Sequence, residues 1–241
     1  MPNRLKSQRS GKGSHRFLAT KNAAYDIKYR NYSDAERNDV LLGQVVDLMT
    51  DYGKTSALAE IAFSQNDKEV VIAAEGMSVG KKVEYGVNAE VDVGNVLPLK
   101  SMPDGCPIFN IELHPGDGGK LVRSSGMFAL VVTKDKTKVF VKLPSSKVVS
   151  LSPLCRATIG CAAAGGRVEK PFVKAGKRFH LMKSKRKHYP GLRGVAMNPV
   201  DHPFGGSQHH PGKSKSTSRH APPGRKVGAI ASKRTGRRKK G

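Results

Sequence analysis

The chain has no tryptophan, only three cysteines, and no apolar run long enough to cross a bilayer. Aromatic residues make up 6% and hydrophobic residues 37% of its 241 positions, so part of it must lie outside any core. Cys106, Cys155 and Cys161 cannot form an even disulfide framework, which points to a reducing compartment. Cys155 and Cys161 stand with five residues between them and no paired CxxC, and His209-His210 has no second ligand group at finger spacing, so no metal site is expected. A phosphate-cradling GxxxxGK[ST] loop is also missing: at Gly119-Lys120 the hydroxyl position is Leu121 and the first glycine position is His114. The opening MPNRLKSQRSGKGSHRF has cations with no apolar segment behind them, so no secretory leader is expected. Acids are scarcest at the end, where residues 167–241 hold only Glu169 and Asp201.

Cations are plentiful. The net charge is +24, and it is unevenly spread: residues 1–37 carry +6, residues 38–166 carry −1 and residues 167–241 carry +19. Two basic arms thus flank a near-neutral middle, and such arms repel themselves unless a dense polyanion screens them. Glycine and proline break both arms and leave no apolar helical face, which disfavours a membrane surface and favours nucleic acid. Phe17, Tyr25, Tyr29 and Tyr32 interleave with the first arm, where rings could stack on bases. In the isolated protein a disordered tail is the plainer expectation there.

The middle reads as strands. Val40–Thr50, Ser56–Ser64, Glu69–Ala74, Val79–Gly86 and Val87–Val93 have strand lengths with polar turn residues between them, and 93–105 reads as a connector marked by Pro98 and Pro103-Asp104-Gly105. A second run follows in Cys106–Leu113, Gly126–Thr133, Lys138–Leu143, Lys147–Leu151 and Arg156–Cys161. Short strands with tight turns and no helical period predict two small antiparallel barrels. The strand pattern stops past Gly165-Gly166, and the compact part is expected to end near residue 180.

The most distinctive stretch is RGVAMNPVDHPFGG, residues 193–206, with two prolines, three glycines and an adjacent Asp201-His202. Prolines fix its backbone and glycines allow close approach of another surface. Asp201 and His202 could act as an acid/base pair, but neighbours in sequence often point apart, and no nucleophile stands at a recognisable spacing. The favoured reading is a brace and a contact, with no catalytic residue. Farther on, APPGRKVGAIASKRTGRRKK (221–240) has the cation density that neutralises phosphates.

RGVAMNPVDHPFGG resembles the signature of the universal large-subunit ribosomal protein L-two family. IAAEGM (72–77), VGNVLPL (93–99), MPDG (102–105), PGDGGKL (115–121), VKLPS (141–145), AGGRVEKP (164–171) and APPGRKVG (221–228) also fall in that family's order. Phe204 and the following QHH resemble archaeal and eukaryotic members rather than the bacterial HPHGGGEG, and the length suits an archaeal one. The resemblance implies a mainly β fold: a basic extension over 1–37, an oligonucleotide-binding-type β-barrel over 38–92, an SH3-like β-barrel over 93–180 and a basic extension over 181–241. It further implies a structural, non-enzymatic role in the ribosome of the cytoplasm, on large-subunit rRNA near the peptidyl transferase region, supporting subunit association, tRNA binding and peptide bond formation. Expected rRNA-binding residues are Arg193, Asn198, Asp201, His202, Gly205, Gly206, Arg225, Lys226, Lys233, Arg234, Arg237 and Arg238, with His202 nearest the peptidyl transferase region. Neighbouring ribosomal proteins are expected partners, the small subunit and tRNA indirect ones, and homo-oligomers are not expected. No cofactor is expected, with magnesium shared with RNA phosphates left open. The alternative is a general nucleic-acid-compacting or RNA-chaperone protein, which basic tails alone would permit.

Overall fold

A computed structural model describes residues 4–18, 25–207 and 215–232. The chain divides into two compact units: residues 21–171, and a unit built from both ends, 1–20 with 172–241.

The central unit is a single ten-stranded sheet. Its first half contains β1 (Val40–Met49), β2 (Leu58–Ser64), β3 (Asp67–Ile72) and β4 (Lys82–Gly86), in the order β3-β2-β1-β4. Its second half runs β5-β10-β6-β7-β8-β9, from β5 (Val96–Pro98), β6 (Pro107–Phe109), β7 (Ala129–Lys134), β8 (Val139–Lys142), β9 (Val148–Leu151) and β10 (Arg156–Ile159). All these pairings are antiparallel except β4 with β5, which meet in parallel at Tyr85 and Val96 and join the halves. Strand periodicity sends alternate side chains inward. Val83 and Tyr85 accordingly enter one core, which Val45, Leu58 and Ile61 share, while Leu97, Ile108, Val131, Val141 and Leu151 fill the other. Ladder shifts at Val45/Asp47 in β1 and Val131/Thr133 in β7 bend those long strands, as β-bulges do.

Three expectations about the central unit need correction. Residues 87–93 form turns and loop rather than a strand. Their side chains replace the ladder: Asn95 Oδ1 accepts the Glu84 N–H at 3.0 Å, Asn95 Nδ2 donates to the Glu90 carbonyl at 3.0 Å, and Glu84 accepts the Glu90 N–H at 2.8 Å. The 93–105 connector contains β5, whose Pro98 pairs with Arg156 across the ladder. Finally, the last part of the 1–37 extension belongs to the central unit, with Ile27 and Tyr29 buried in the first core. The Tyr29 hydroxyl shares a hydrogen bond with Thr158 on β10, which removes that ring from any base-stacking role.

The short helix α2 (Asp34–Asn38) follows, and a buried ion cluster holds this segment down. Arg156, 2% exposed, donates from Nη1 to Glu36 at 2.8 Å and from Nη2 to Glu112 at 2.9 Å and to the Arg30 carbonyl at 2.9 Å. Tyr29 and Tyr32 flank its guanidinium at 5.3 and 4.8 Å from the ring centroids. Arg123 adds a 2.7 Å bond to the Ile27 carbonyl, so this cation is spent on the fold. The glycine-rich loop 114–119 wraps the same cluster: Glu112 accepts the N–H groups of Gly116, Gly118 and Arg156. The amides a phosphate would need are taken by the chain's own carboxylate.

In the unit of chain ends, α1 (Lys6–Gly11) and α3 (Ala175–Ser184) are helices without a buried residue. The expectation that the compact barrel runs to about residue 180 is corrected by α3 and by the division at 171/172. A short parallel pairing of β11 (Ser216–Thr217) with β12 (Ala229–Ile230) draws the final segments together.

Candidate nucleic-acid interface

The distinctive loop is a succession of tight turns. The Ala196 N–H reaches the Arg193 carbonyl at 2.9 Å, both Asp201 and His202 N–H groups reach the Asn198 carbonyl at 3.0 and 3.2 Å, and Gly205 returns to the His202 carbonyl at 2.9 Å. Two glycines make this winding sterically feasible. A Cβ on Gly194 would collide with the His202 ring, and one on Gly205 would collide with the carbonyls of Met197 and Asn198.

His202 is held in one orientation. Its Nδ1 accepts the Phe204 N–H at 3.0 Å, which leaves the proton on Nε2, and its ring meets Phe204 edge-on at 5.0 Å. Partial burial lowers its pKa, so the imidazole is neutral near pH 7 and presents an N–H donor rather than a cation. No hydrogen bond or ion pair joins it to Asp201. The adjacent pair is therefore not assembled for acid/base work.

Arg193, Asn198, Gly206, Arg225 and Lys226 are exposed. Asp201 and His202 are partly buried, while Gly205 is buried and shapes the loop from within. Lys233, Arg234, Arg237 and Arg238 lie outside the described residues. The structure brings Arg225 to the loop: Pro199, His202 and Pro203 share a cleft of about 660 Å³ with Pro223, Gly224 and Arg225, all within the unit of chain ends. Arg4, Leu5 and Gln8, at the start of α1, complete its lining. Sequence reasoning assigned no role to these three, and only the isolated Leu5 among polar residues hinted at an anchoring point.

The charge of this unit is extreme. It carries twenty-four lysines and arginines against a single acid, Asp201, a net of +23, and leaves the central unit at +1. On the α3 side, Arg178 stacks between the Phe172 and Tyr189 rings at 6.0 and 5.7 Å. A second cleft there is lined by His15, Arg16, Lys183, Arg186 and Lys187 with Phe179 and Tyr189. Cations beside flat rings and no acid suit phosphates and bases together.

Residues 3–85 match the family described as Ribosomal Proteins L2, RNA binding N-terminal domain, and residues 92–226 match Ribosomal Proteins L2, C-terminal domain. The chain belongs to the ribosomal protein L2 family. Among L2 relatives, the large ribosomal subunit protein uL2 of Methanococcus aeolicus is 48% identical over 240 residues, covering 99% of this chain and all of its own length. Those of Natronomonas pharaonis, 50% identical over 243 residues, and Methanothermobacter thermautotrophicus, 49% over 247, match at 99–100% of both lengths. These relatives agree with the archaeal or eukaryotic character expected from Phe204 and with the archaeal one that the length suits. L2 membership also settles the fold class: the halves of the central sheet are the oligonucleotide-binding-type and SH3-like barrels. L2 proteins are structural constituents of the ribosome rather than enzymes.

Proposed function

We propose that the chain binds large-subunit rRNA, with the 193–206 loop directed to the peptidyl transferase region, where it supports subunit association, tRNA binding and peptide bond formation. The observation that carries this is the segregation of charge, +23 in one unit with a single carboxylate. So many cations close together are stable only when phosphates screen them. Arg193, Asn198, Arg225 and Lys226 contact RNA from exposed positions, and Lys233, Arg234, Arg237 and Arg238 extend the same basic character. His202 acts as a fixed neutral donor, a contact rather than a catalyst. The archaeal uL2 relatives support the ribosomal setting, with rRNA and neighbouring ribosomal proteins as partners in the cytoplasm.

Crosslinking in the cell, with mapping of both partners, tests this reading. Adducts from 193–206 and 225–226 should fall on large-subunit rRNA, those of the loop around the peptidyl transferase region. Adducts spread over duplex DNA and unrelated RNAs would instead favour a general compacting or chaperone role.

A further inference from the structure

The cleft between the loop, residues 223–225 and the start of α1 has a lining that phosphate binding alone does not require. Pro199, Pro203 and Pro223, from two separate segments, give it rigid apolar walls, and buried Leu5 adds to them. Hydrogen-bonding groups stand among these walls. His202 has Nδ1 engaged by Phe204, so Nε2–H is the group left to donate. Gln8 has Oε1 engaged by the Leu5 N–H at 3.1 Å, so its NH₂ is left to donate. Arg4 and Arg225 are both exposed at the same cleft, and among the described residues no carboxylate lines it. A volume of about 660 Å³ lies within the roughly 300–1,000 Å³ typical of small-ligand sites.

We propose that this cleft receives one unpaired nucleotide of the RNA, its base between the proline walls and its phosphate on Arg4 and Arg225. This rests on the RNA-binding reading above and narrows it to a nucleotide-sized seat. Each part has a physical counterpart. A nucleotide offers a base with two apolar faces for the walls and an edge whose acceptors match the Nε2–H and amide donors, and a phosphate for the guanidiniums. The absence of acids disfavours a cationic occupant, and the apolar walls disfavour a bare phosphate. A neutral His202 serves this arrangement better than a charged one, since it supplies a donor without the desolvation cost of a cation. The seat also explains why two distant segments meet here: α1 supplies the floor, and the loop cannot form the site without it.

The test uses the full-length protein and two short-looped RNA hairpins, identical except that one has abasic loop positions. The abasic hairpin keeps its phosphates and loses only bases, so it should bind about tenfold more weakly, the order expected for one seated base. Pro199→Trp and Pro223→Trp each place an indole in the cleft from a different exposed position. Each should bring the ratio close to one. Equal binding of the two hairpins by the unsubstituted protein, or a ratio that persists in both tryptophan variants, overturns the seat and leaves RNA binding standing. Failure to bind either hairpin overturns the RNA-binding reading and the seat with it.

Discussion

Glu69 on β3 places a carboxylate where its charge is not matched. Oε1 accepts the Arg30 N–H at 3.1 Å, but Oε2 is buried without a hydrogen-bond partner. Desolvation outweighs the help from Arg30 and Arg156 and raises its pKa from 4.5 to about 7. The folded protein therefore holds this proton more tightly than the unfolded chain does. Stability linked to Glu69 is fully present below about pH 4.5 and is lost as pH rises through about 7. Glu69→Gln keeps the acceptor for Arg30 and removes the ionisation. It should flatten the decline in thermal midpoint between pH 5 and 8 and exceed the unsubstituted protein at pH 8; a parallel decline in both proteins would refute the assignment. The sequence gives little notice of such a residue, because a buried glutamate and a surface glutamate read alike. His202 was legible as the notable side chain of its loop, yet its tautomer depends on the Phe204 N–H, which only the turn geometry reveals.

Among the elements, those with regular apolar alternation were legible and those held by polar side chains were not. β1, β2 and β8 are legible as short apolar runs between polar turns, with strict alternation clearest at Val139 and Val141 of β8. β5 was hidden by Pro98, and α3 by the lack of any buried face that would impose a helical apolar period. Residues 25–38 were misjudged because their anchors, Arg30 and Glu36, look solvent-exposed in a basic arm, whereas Glu36 is buried against Arg156. That pairing joins α2, β10 and the loop at Glu112. Removing one member of a buried ion cluster leaves the others uncompensated, typically at a cost of about 3–5 kcal/mol. Arg156→Met should thus destabilise the protein by about that much, seen as a lower urea midpoint, with Tyr29 becoming accessible to iodination. An unchanged midpoint would mean that residues 25–38 are not held through Arg156.

At the scale of the whole molecule, fold and charge are divided between the two units. Residues 21–171 hold both hydrophobic cores and a net charge of +1, while the chain ends hold +23 and two helices without buried residues. The division runs through the first arm, at about residue 20, rather than at its end near 37. A fragment meant to isolate the barrels must keep residues 25–38, or it deletes part of the core and uncovers Arg156. Within the central unit the cations are not evenly placed either: Lys136, Lys138, Lys142 and Lys147 stand exposed on β8 and the turns flanking it. Each phosphate neutralised steepens the fall of affinity with salt by about 0.9 in the logarithmic slope for duplex and about 0.7 for single strands. The full chain should accordingly show an RNA-binding slope several times that of the 21–171 fragment, measured by titration with circular dichroism confirming that the fragment is folded. Its remaining affinity should fall further when those four lysines are changed to glutamine. Equal slopes for fragment and full chain would place the phosphate contacts on the barrels and contradict the assignment of RNA binding to the unit of chain ends.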